Sequence, residues 1–230
     1  MKNFKVYWVT IPDLVNEKII EKELYLLDSK ELEKYYSYKF IDKKLEFLTG
    51  RILVKKILST RLKVSPMDVI LLEDKYGKLF VENACELSVY FNISHANKIV
   101  TCVVSSHRYT GIDVEILEDA PLEIMSKVYL PKEIEFINSH EHLVDRKIAF
   151  YLIWTRKEAF MKANGLGFYM SPRSFNVAYD WGVGIKSDCA YFTYRLPPNH
   201  LCSVALNQVS NQEILNSIEK VDFNELYPKF

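Results

Sequence analysis

The chain has 230 residues, of which 49% are hydrophobic and 26% are charged, a composition that indicates a globular protein and excludes an intrinsically disordered one. Basic and acidic residues balance at 30 each, which excludes the strongly basic character typical of general nucleic-acid-binding proteins. We therefore expect no nucleic-acid partner, and we expect any charged ligand to be bound by a local cluster of side chains.

The sequence favours neither a targeting segment nor a cysteine-based site. Lys5, Pro12 and Asp13 interrupt the stretch in which a signal peptide would be apolar, and no later apolar run reaches the length of a membrane span. We expect a soluble, cytoplasmic protein that contacts no membrane. The cysteines lack the C-x-x-C spacing of zinc sites, which favours buried reduced thiols. They are Cys85, Cys102, Cys189 and Cys202.

The first half of the chain is predicted to start with a strand, continue with helices and end with short strands. Residues 4–11 form a β-rich run, and helices are predicted over residues 14–27, 29–40 and 42–62. Ser29 is the expected N-cap of the second helix. Four short β-branched or aromatic runs follow, at residues 68–73, 78–82, 89–94 and 99–105, and residues 111–117, at the start of the second half, are another strand candidate.

The second half repeats this order. Helices are predicted over residues 121–129, 131–139 and 145–165, where Pro131 suits a first helical position and Gly165 a C-terminal cap. Strands are then predicted at residues 174–180, 190–196 and 201–207, followed by a polar tail. Because helices and strands are grouped and do not alternate regularly, the pattern favours an α+β fold with mainly antiparallel sheets.

An internal echo suggests two similar halves that join near residue 108. The stretch SHANKIVTCVVS near the end of the first half resembles NHLCSVALN near the end of the second. In each, a polar turn with a His leads into a strand of small residues. We predict an N-terminal lobe of residues 1–108 and a C-terminal lobe of residues 109–230.

Asp113 and Glu115 in the strand-like stretch GIDVEIL are the clearest candidates for chemistry. Side chains alternate between faces along a strand, so these carboxylates point the same way while Ile112 and Val114 point the other way. Carboxylates suit a hard cation such as Mg²⁺, which also binds substrate phosphates. The alternative interpretation is an edge strand with one solvated polar face.

The stretch WTRKEAFMKANGLG is predicted to place an aromatic, a carboxylate and two ammonium groups on one helix face. Trp154, Glu158 and Lys162 recur every four residues, with Lys157 between them. With the two strand carboxylates, Glu158 would complete a metal site, and the lysines would neutralise phosphate oxygens during a phosphoryl-type displacement. Otherwise Glu158 and Lys162 form an ordinary exposed ion pair beside a core Trp.

The stretch FNISHANK and several separate cations are candidates for anion binding. Ser94 and His95 follow a predicted strand, where a hydroxyl, an imidazole and turn amides can meet an anion. The alternative is an ordinary polar turn. Arg51, Lys34 and Lys78 are further cationic candidates, and each is otherwise a solvated surface charge.

Together these stretches resemble a known family. FNISHANKIVTCVVS, GIDVEIL and WTRKEAFMKANGLG, in this order and separation, resemble the three motifs of the 4′-phosphopantetheinyl transferase superfamily, in its longer surfactin-synthetase-activating type. The likeness extends back to YGKLF and LTGRILVKKIL and covers roughly residues 30 to 170. The G-[IV]-D-x-E and W-[ST]-x-K-E-[AS]-x-x-K motifs are specific as a combination.

The resemblance implies a pseudo-twofold α+β monomer of two similar lobes, each with helices packed on a mainly antiparallel sheet, and a coenzyme A cleft between them. It implies an enzyme that transfers the 4′-phosphopantetheine arm of coenzyme A to a serine of an acyl or peptidyl carrier protein, releasing adenosine 3′,5′-bisphosphate. The carrier would belong to fatty-acid, polyketide or nonribosomal-peptide synthesis. The metal would be Mg²⁺, with Mn²⁺ as a possible substitute.

The resemblance also assigns roles to particular residues. By motif position, Asp113, Glu115 and Glu158 would bind Mg²⁺, and Asp113 counts among the catalytic residues for this reason. Glu158, or a water that it orients, would be the base for the carrier serine. Lys162 would contact the pyrophosphate and stabilise its charge as the bond breaks, and Lys157 would assist there.

The other implied contacts surround the phosphates of coenzyme A. Ser94 and His95 match residues that contact its 3′-phosphate. The residues that match its cationic surroundings are Arg51, Lys78 and Lys34. Lys30 is an alternative to Lys34, because DSKELEKYY aligns ambiguously with the family. Leu79 replaces the family's Pro, so we expect a less rigid turn after Lys78.

The segment LGFYMSPRSF is a candidate docking loop for an acidic helical carrier. It offers Phe168, Tyr169 and Met170 beside Arg173, a mixture that suits an interface core with a charged edge. The alternative is a buried hinge between a helix and a strand. Two rival functions remain at this stage: a metal-dependent phosphodiesterase or nuclease, and a non-catalytic coenzyme A-binding protein.

Overall fold

The computed structural model describes residues 3–82, 87–208 and 215–228, which form two four-stranded sheets, a hairpin and the surrounding helices. The strands are β1 (Asn3–Thr10), β2 (Leu71–Glu73), β3 (Leu79–Val81), β4 (Tyr90–Ala96), β5 (Ile99–Ser105), β6 (Thr110–Ile116), β7 (Val183–Lys186), β8 (Cys189–Leu196), β9 (His200–Leu206) and β10 (Leu215–Lys220). The α-helices are α1 (Glu17–Glu21), α2 (Ser29–Ser37), α3 (Ile41–Leu62), α4 (Met125–Val128), α5 (Pro131–Asn138), α6 (Leu143–Asn164) and α7 (Phe223–Leu226). The expected two-lobed α+β fold is confirmed.

Each four-stranded sheet carries one 22-residue helix, and an apolar layer joins the two sheets. The strand order is β10-β1-β5-β4 in the first sheet and β6-β9-β8-β7 in the second. Helix α3 packs on the first sheet and α6 on the second. Between the sheets, Phe4 and Phe192 lie with ring centroids 4.7 Å apart, and Ile112 and Val114 of β6 are buried in the same layer. Apolar burial therefore fixes the relative placement of the lobes.

The strand pairing accounts for the internal echo in the sequence. In the first sheet β5 pairs antiparallel with both β1 and β4, and in the second sheet β9 pairs antiparallel with both β6 and β8. The two long helices also end alike, on left-handed residues: Lys63 with φ 57° and Gly165 with φ 71°. The two similar stretches of sequence are thus the turn before an inner strand and that strand itself, β5 in the first sheet and β9 in the second.

Strand β10 departs from this repeated plan. It pairs in parallel with β1 of the first sheet, and Leu226 and Tyr227 behind it are buried in the core under α3. The Tyr227 hydroxyl lies 3.0 Å from Thr49 Oγ1. The lobe boundary at residue 108 stays a prediction, and the structure adds that residues 215–227 pack with the first sheet.

Side chains of β4 connect the two sheets at their neighbouring edges. Asn92 Oδ1 accepts a hydrogen bond from Ile112 N at 2.9 Å, and Ser94 Oγ accepts one from Val114 N at 3.3 Å. Alternate residues of β4 thus satisfy backbone donors at the edge of β6 that does not pair with β9. This connection brings β4 of the first lobe next to β6 of the second.

Two details of the first helices differ from expectation. Asp28 is the N-cap of α2, and Ser29 is its first residue, because Asp28 and Glu31 form a capping box with each other's backbone N–H groups. The helix predicted over residues 14–27 is shorter in the structure and consists of α1 and a 3₁₀ turn at Leu24–Leu26. Helix α1 begins at Glu17 because the Asn16 side chain is its N-cap and accepts a hydrogen bond from Lys18 N.

The strand predicted over residues 174–180 is absent, because a buried cation of α6 binds its carbonyl groups. Arg156 is fully buried, and its guanidinium donates to Ala178 O at 2.8 Å and to Asp180 O at 2.7 Å. Because these carbonyl groups point at the guanidinium, the segment does not pair with a neighbouring strand. The second sheet ends at β7 on one edge, beside β8, and at β6 on the other.

The described cysteines are buried free thiols, as expected: Cys102, Cys189 and Cys202. Cys85 lies outside the described residues. Within the described ranges, no helix combines the length and the apolar character needed to cross a membrane.

Candidate active site

A cleft of about 260 Å³ lies between the two lobes. Residues of α2, α3, the β2–β3 turn and β4 line it from the first lobe, and the C-terminal end of α6 with Gly165 and Gly167 lines it from the second. Besides two tyrosines, its charged or titratable lining residues are Lys34, Glu46, Arg51, Lys78, His95 and Lys162. The structure therefore brings most of the predicted coenzyme-binding residues to one cleft.

Gly111 allows β6 and α6 to pack in close contact. A Cβ atom on Gly111 would lie 2.0 Å from Ala159 O and 2.4 Å from Ala163 N, so a larger residue cannot occupy this position without displacing the helix. Because alternate strand residues share a face, this contact directs Asp113 and Glu115 toward α6.

Asp113 is a buried carboxylate that binds Lys162. The Lys162 Nζ lies 2.6 Å from Asp113 Oδ1, and Ser94 Oγ donates to the same oxygen at 3.1 Å. Asp113 Oδ2 is buried and accepts no hydrogen bond. Burial raises the pKa of Asp113 above its usual value, although Lys162 and Ser94 act in the opposite direction.

Glu115 and Glu158 complete a group of three neighbouring carboxylates. Trp154 on α6 orients Glu115, since its indole Nε1 donates to Glu115 Oε1 at 3.2 Å. Burial and the nearby charge of Asp113 raise the pKa of Glu115. Burial, then repulsion from Asp113 and Glu115, raises the pKa of Glu158 to about 7, with Lys162 partly offsetting this rise. The three acids are thus close enough to perturb one another.

Three oxygen-donor side chains suit a hard divalent cation. As the side chains are placed here, however, no three His, Cys, Asp or Glu residues in the described ranges are arranged to bind one metal ion. In this conformation Lys162 neutralises Asp113 instead. Two observations fit a cation here: the buried Asp113 Oδ2 lacks a hydrogen bond, and the like charges crowd one another. Asp113, Glu115 and Glu158 are the residues that would hold it, with Lys162 moved away from Asp113.

Ser94 connects the carboxylates to the first lobe. It lies within β4, which extends past the predicted strand end at residue 94 to Ala96, and the turn itself is formed by Asn97 and Lys98 with positive φ. Besides its bond to Asp113, Ser94 Oγ accepts a hydrogen bond from Lys162 Nζ at 2.9 Å. Ser94 therefore contacts the same lysine and carboxylate that the last two motifs supply.

His95 lines the cleft and is bound from behind by a buried acid. Its Nδ1 lies 3.1 Å from Oε2 of Glu46, a residue of α3 that is 2% exposed. Glu46 also accepts hydrogen bonds from Lys43 Nζ at 2.7 Å and from Lys98 N at 3.1 Å. Burial alone would raise the pKa of Glu46, but the bonds from His95, Lys43 and Lys98 outweigh it and lower the pKa to about 2.

Arg51 and Lys34 lie beside the Phe47 ring on one side of the cleft. The Arg51 Nε is 2.9 Å from Glu31 Oε1, and its guanidinium carbon is 4.7 Å from the ring centroid. Lys34 Nζ is 5.9 Å from the same centroid. Of the two alternatives left by the sequence, Lys34 lines the cleft, whereas Lys30 lines a neighbouring groove.

Lys78 connects the β2–β3 hairpin to the end of α6. Its Nζ donates to Ala163 O at 2.7 Å, and burial lowers its pKa to about 8. In the turn before it, Asp74 Oδ1 accepts hydrogen bonds from Tyr76 N at 2.8 Å and Lys78 N at 3.0 Å. Asp74 thus supplies a constraint on this turn that is independent of the family's Pro, which is Leu79 here.

Lys157 does not share the helix face of Glu158 and Lys162, so the predicted grouping is wrong. Its Nζ lies 2.9 Å from Glu133 Oε1, and both side chains are fully buried. It also donates to Pro172 O at 2.6 Å and to Phe175 O at 2.8 Å. Successive helix residues point about 100° apart, which directs Lys157 away from the carboxylates.

The candidate docking loop is only partly exposed. Tyr169 is 81% exposed and packs edge to face on Tyr76 of the hairpin, with ring centroids 5.3 Å apart. Arg173 is exposed and Met170 is half-buried, while the side chain of Phe168 lies outside the described residues. The loop therefore contacts the first lobe next to the cleft.

Glu46 and Asn92 have site contacts that the sequence did not predict, and Trp154 has a partner, Glu115, that the sequence did not predict. The signal for Asn92 was present, since it precedes Ser94 by two residues and shares its strand face. The contact of Glu46 with His95 has no such signal, because it arises when α3 packs against the β4–β5 turn.

Two family profiles match adjoining parts of this chain. The profile of the 4′-phosphopantetheinyl transferase superfamily matches residues 109–207. A profile described as the N-terminal part of 4′-phosphopantetheinyl transferases matches residues 16–107.

Several proteins named 4′-phosphopantetheinyl transferase are similar to this chain over much of its length. The 4′-phosphopantetheinyl transferase Sfp of Bacillus subtilis (strain 168) is 24% identical over 229 residues, which are 96% of this chain and 99% of Sfp. The 4′-phosphopantetheinyl transferase gsp of Aneurinibacillus migulanus is 25% identical over 171 residues, 74% of this chain and 70% of that protein. HetI of Nostoc sp., also a 4′-phosphopantetheinyl transferase, is 34% identical over 144 residues, 61% and 60% of the two chains.

The fold and the matched ranges define a two-lobed enzyme of a family that uses coenzyme A and Mg²⁺. Both halves of the chain belong to the 4′-phosphopantetheinyl transferase superfamily. The activity of the chain is the transfer of phosphopantetheine to carrier proteins.

Proposed function

We propose that this chain binds coenzyme A in the cleft between its lobes and uses Asp113, Glu115, Glu158 and Lys162 to transfer the phosphopantetheine arm to a carrier serine. The serine oxygen bonds to the phosphorus that bears the pantetheine arm, and the bond from that phosphorus to the bridging oxygen of the pyrophosphate breaks. Adenosine 3′,5′-bisphosphate is the leaving group, and the serine proton passes to a base.

One observation carries this proposal: β6 and α6 bring three carboxylates and an ammonium group together beside a cleft lined by cations. A pyrophosphate displacement needs positioning and charge neutralisation more than covalent catalysis by the protein. The close contact at Gly111 keeps Asp113 and Glu115 facing Glu158 and Lys162.

Asp113, Glu115 and Glu158 would hold Mg²⁺, or Mn²⁺ in its place. The bound cation would neutralise charge on the pyrophosphate oxygens. Trp154 keeps Glu115 oriented through its indole N–H. Lys162 would exchange its bond to Asp113 for one to a pyrophosphate oxygen, where it stabilises the charge that develops on the leaving group.

The proton of the carrier serine and the 3′-phosphate of the coenzyme are assigned to different residues. Glu158, or a water that it orients, takes the proton from the serine hydroxyl. Ser94 and His95 would bind the 3′-phosphate of the coenzyme. Its cationic surroundings would be Arg51, Lys34 and Lys78.

Lys157 is proposed to act indirectly. Because it is fully buried against Glu133 and holds the carbonyls of Pro172 and Phe175, its position supports a role in fixing the loop after α6, and not a contact with the coenzyme.

Intact-mass measurement of apo carrier proteins tests the proposal. Purified acyl and peptidyl carriers are incubated with this protein, coenzyme A and Mg²⁺, with and without a chelator. We expect a mass gain of one phosphopantetheine that disappears with chelator. Cleavage of coenzyme A without any gain in carrier mass would instead support the phosphodiesterase rival, and binding without cleavage would support the non-catalytic one.

The same experiment separates the carriers of fatty-acid, polyketide and nonribosomal-peptide synthesis by their relative rates of modification. A carrier of acidic helical type is the proposed partner, with Tyr169 and Arg173 at the candidate docking loop. A monomeric state and a cytoplasmic location stay predictions.

A further inference from the structure

Glu46 is a carboxylic acid in a cleft whose lining otherwise carries four cationic side chains and a histidine. Those residues are Lys34, Arg51, Lys78, His95 and Lys162. A cleft that binds a coenzyme with three phosphate groups gains from each cation and would lose affinity from an exposed carboxylate. Glu46 avoids that loss because it is 2% exposed and lies behind His95.

The contacts of Glu46 fix the His95 ring from one side. Oε2 lies 3.1 Å from His95 Nδ1 and accepts a hydrogen bond from Lys43 Nζ at 2.7 Å. Oε1 accepts a hydrogen bond from Lys98 N, in the turn that follows His95. The carboxylate therefore holds both the imidazole and the backbone of its turn.

This arrangement assigns different partners to the two ring nitrogens. With Nδ1 donating to Glu46, Nε2 is the nitrogen that can serve a ligand in the cleft. A protonated ring donates from both nitrogens, and Glu46 balances the charge of that ring from the side away from the ligand.

We infer that Glu46 is a positioning residue, which orients His95 so that its Nε2 binds the 3′-phosphate of coenzyme A. The inference rests on the proposed coenzyme contact of His95 and extends it, since Glu46 touches the ligand only through the imidazole. It follows that Glu46 contributes to the preference for coenzyme A over 3′-dephospho-coenzyme A.

Calorimetric binding of coenzyme A and 3′-dephospho-coenzyme A to Glu46→Gln tests this inference. Glutamine has a single side-chain oxygen, so it cannot accept the bonds made by both Oε1 and Oε2. We expect the affinity ratio between the two ligands to fall about tenfold, with kcat at saturating coenzyme A nearly unchanged. Equal weakening of both ligands would overturn the inference, because a merely structural role does not distinguish them.

Two further variants separate a positioning role of Glu46 from a general structural role. Lys43→Met removes the other cation on Oε2 but leaves the His95 contact, and we expect it to keep the wild-type ligand ratio. His95→Ala should lower the ratio as Glu46→Gln does, and the double variant should lower it no further than His95→Ala. Additive losses would overturn the inference. The proposed function is tested separately, by transfer of phosphopantetheine to a carrier with the wild-type protein. If that transfer is absent, the proposed function is wrong, whatever the affinity ratio between the two ligands.

Discussion

Asp113 is held in an environment that does not favour its charge. It is buried, its pKa is raised by burial, and its Oδ2 accepts no hydrogen bond. A residue selected for stability would have both oxygens satisfied, since a buried polar atom without a partner is costly. The strain at this carboxylate is what a residue kept for ligand binding would show.

Asp113→Asn should therefore abolish Mg²⁺-dependent transfer without lowering stability. The amide keeps an oxygen for Lys162 and Ser94 and removes a desolvated charge, so we expect an unchanged or slightly higher Tm, with activity reduced at least about a thousandfold. Thermal unfolding and the carrier mass assay measure the two effects. A loss of cooperative melting would show that the carboxylate is structural instead.

Glu46 should contribute to stability in a pH-dependent way. Its pKa falls from 4.5 to about 2 on folding, so its contribution is fully present above pH 4.5 and is lost as the pH falls toward 2. We expect Glu46→Gln to lower the free energy of unfolding by roughly 2 to 4 kcal/mol at pH 7. Urea unfolding between pH 7 and pH 3 should show the difference shrinking below pH 4.5, and a difference that stays constant with pH would contradict the charge-based account.

Individual site residues were predictable where one element sets their direction. Strand alternation correctly grouped Asp113 with Glu115, and helix periodicity correctly grouped Glu158 with Lys162. The same reasoning failed for Lys157, because it counted a residue between two stripe positions as part of the stripe. The role of Glu46 could not be predicted from the sequence, because its partner His95 belongs to a separate element and only tertiary packing brings the two together.

Three consecutive residues of helix α6 contact three different parts of the molecule. Arg156 holds the segment after residue 177, Lys157 holds Glu133 and the carbonyls of Pro172 and Phe175, and Glu158 faces the carboxylates of β6. The sequence predicted the helix itself because its apolar pattern is local. It mispredicted residues 174–180 as a strand because the cations that bind their carbonyls come from another element.

Gly111→Ala should separate β6 from α6. The added methyl group would meet the backbone of Ala159 and Ala163, which cannot move like a flexible side chain, so we expect a loss of roughly 2 to 4 kcal/mol in stability and a large loss of transfer activity. Chemical unfolding and the carrier mass assay provide the measurements.

Gly50→Ala is the matched control for that variant. An added Cβ there would meet only side-chain methyl groups, Ile93 Cγ2 at 3.3 Å and Val100 Cγ1 at 3.7 Å, and alanine favours the helix, so we expect a change in stability within about 1 kcal/mol. Equal destabilisation by both substitutions would contradict the assignment of Gly111 to a special contact.

At the scale of the whole molecule, the two lobes share the antiparallel pairing of their central strands, and the C-terminal residues add a parallel strand to the first lobe. Helix α7 and the residue after it place Leu226 and Tyr227 in the first core, and β10 covers the edge of β1. The structure of this tail could not be predicted from the sequence, because a polar strand that pairs in parallel with a distant partner has little local signal.

Removal of residues 209–230 should destabilise the first lobe. Two buried side chains and one edge strand are lost, and at about 2 to 5 kcal/mol for each large buried side chain we expect Tm to fall by at least about 10 °C. Tyr227→Phe serves as the control, since it removes only the hydroxyl bonded to Thr49 and should lower Tm by a few degrees at most. An unchanged Tm in the shortened chain would show that this tail does not stabilise the first sheet.

The parallel pairing of β10 with β1 also sets a delay during synthesis. The ribosome makes the two paired strands 205 residues apart, counted from Thr10 to Leu215. At translation rates of about 5 to 20 residues per second, β1 waits roughly 10 to 40 seconds for its outer neighbour. Throughout that interval the nascent chain carries an open strand edge, which makes it a substrate for chaperones and a site for pairing with other nascent chains.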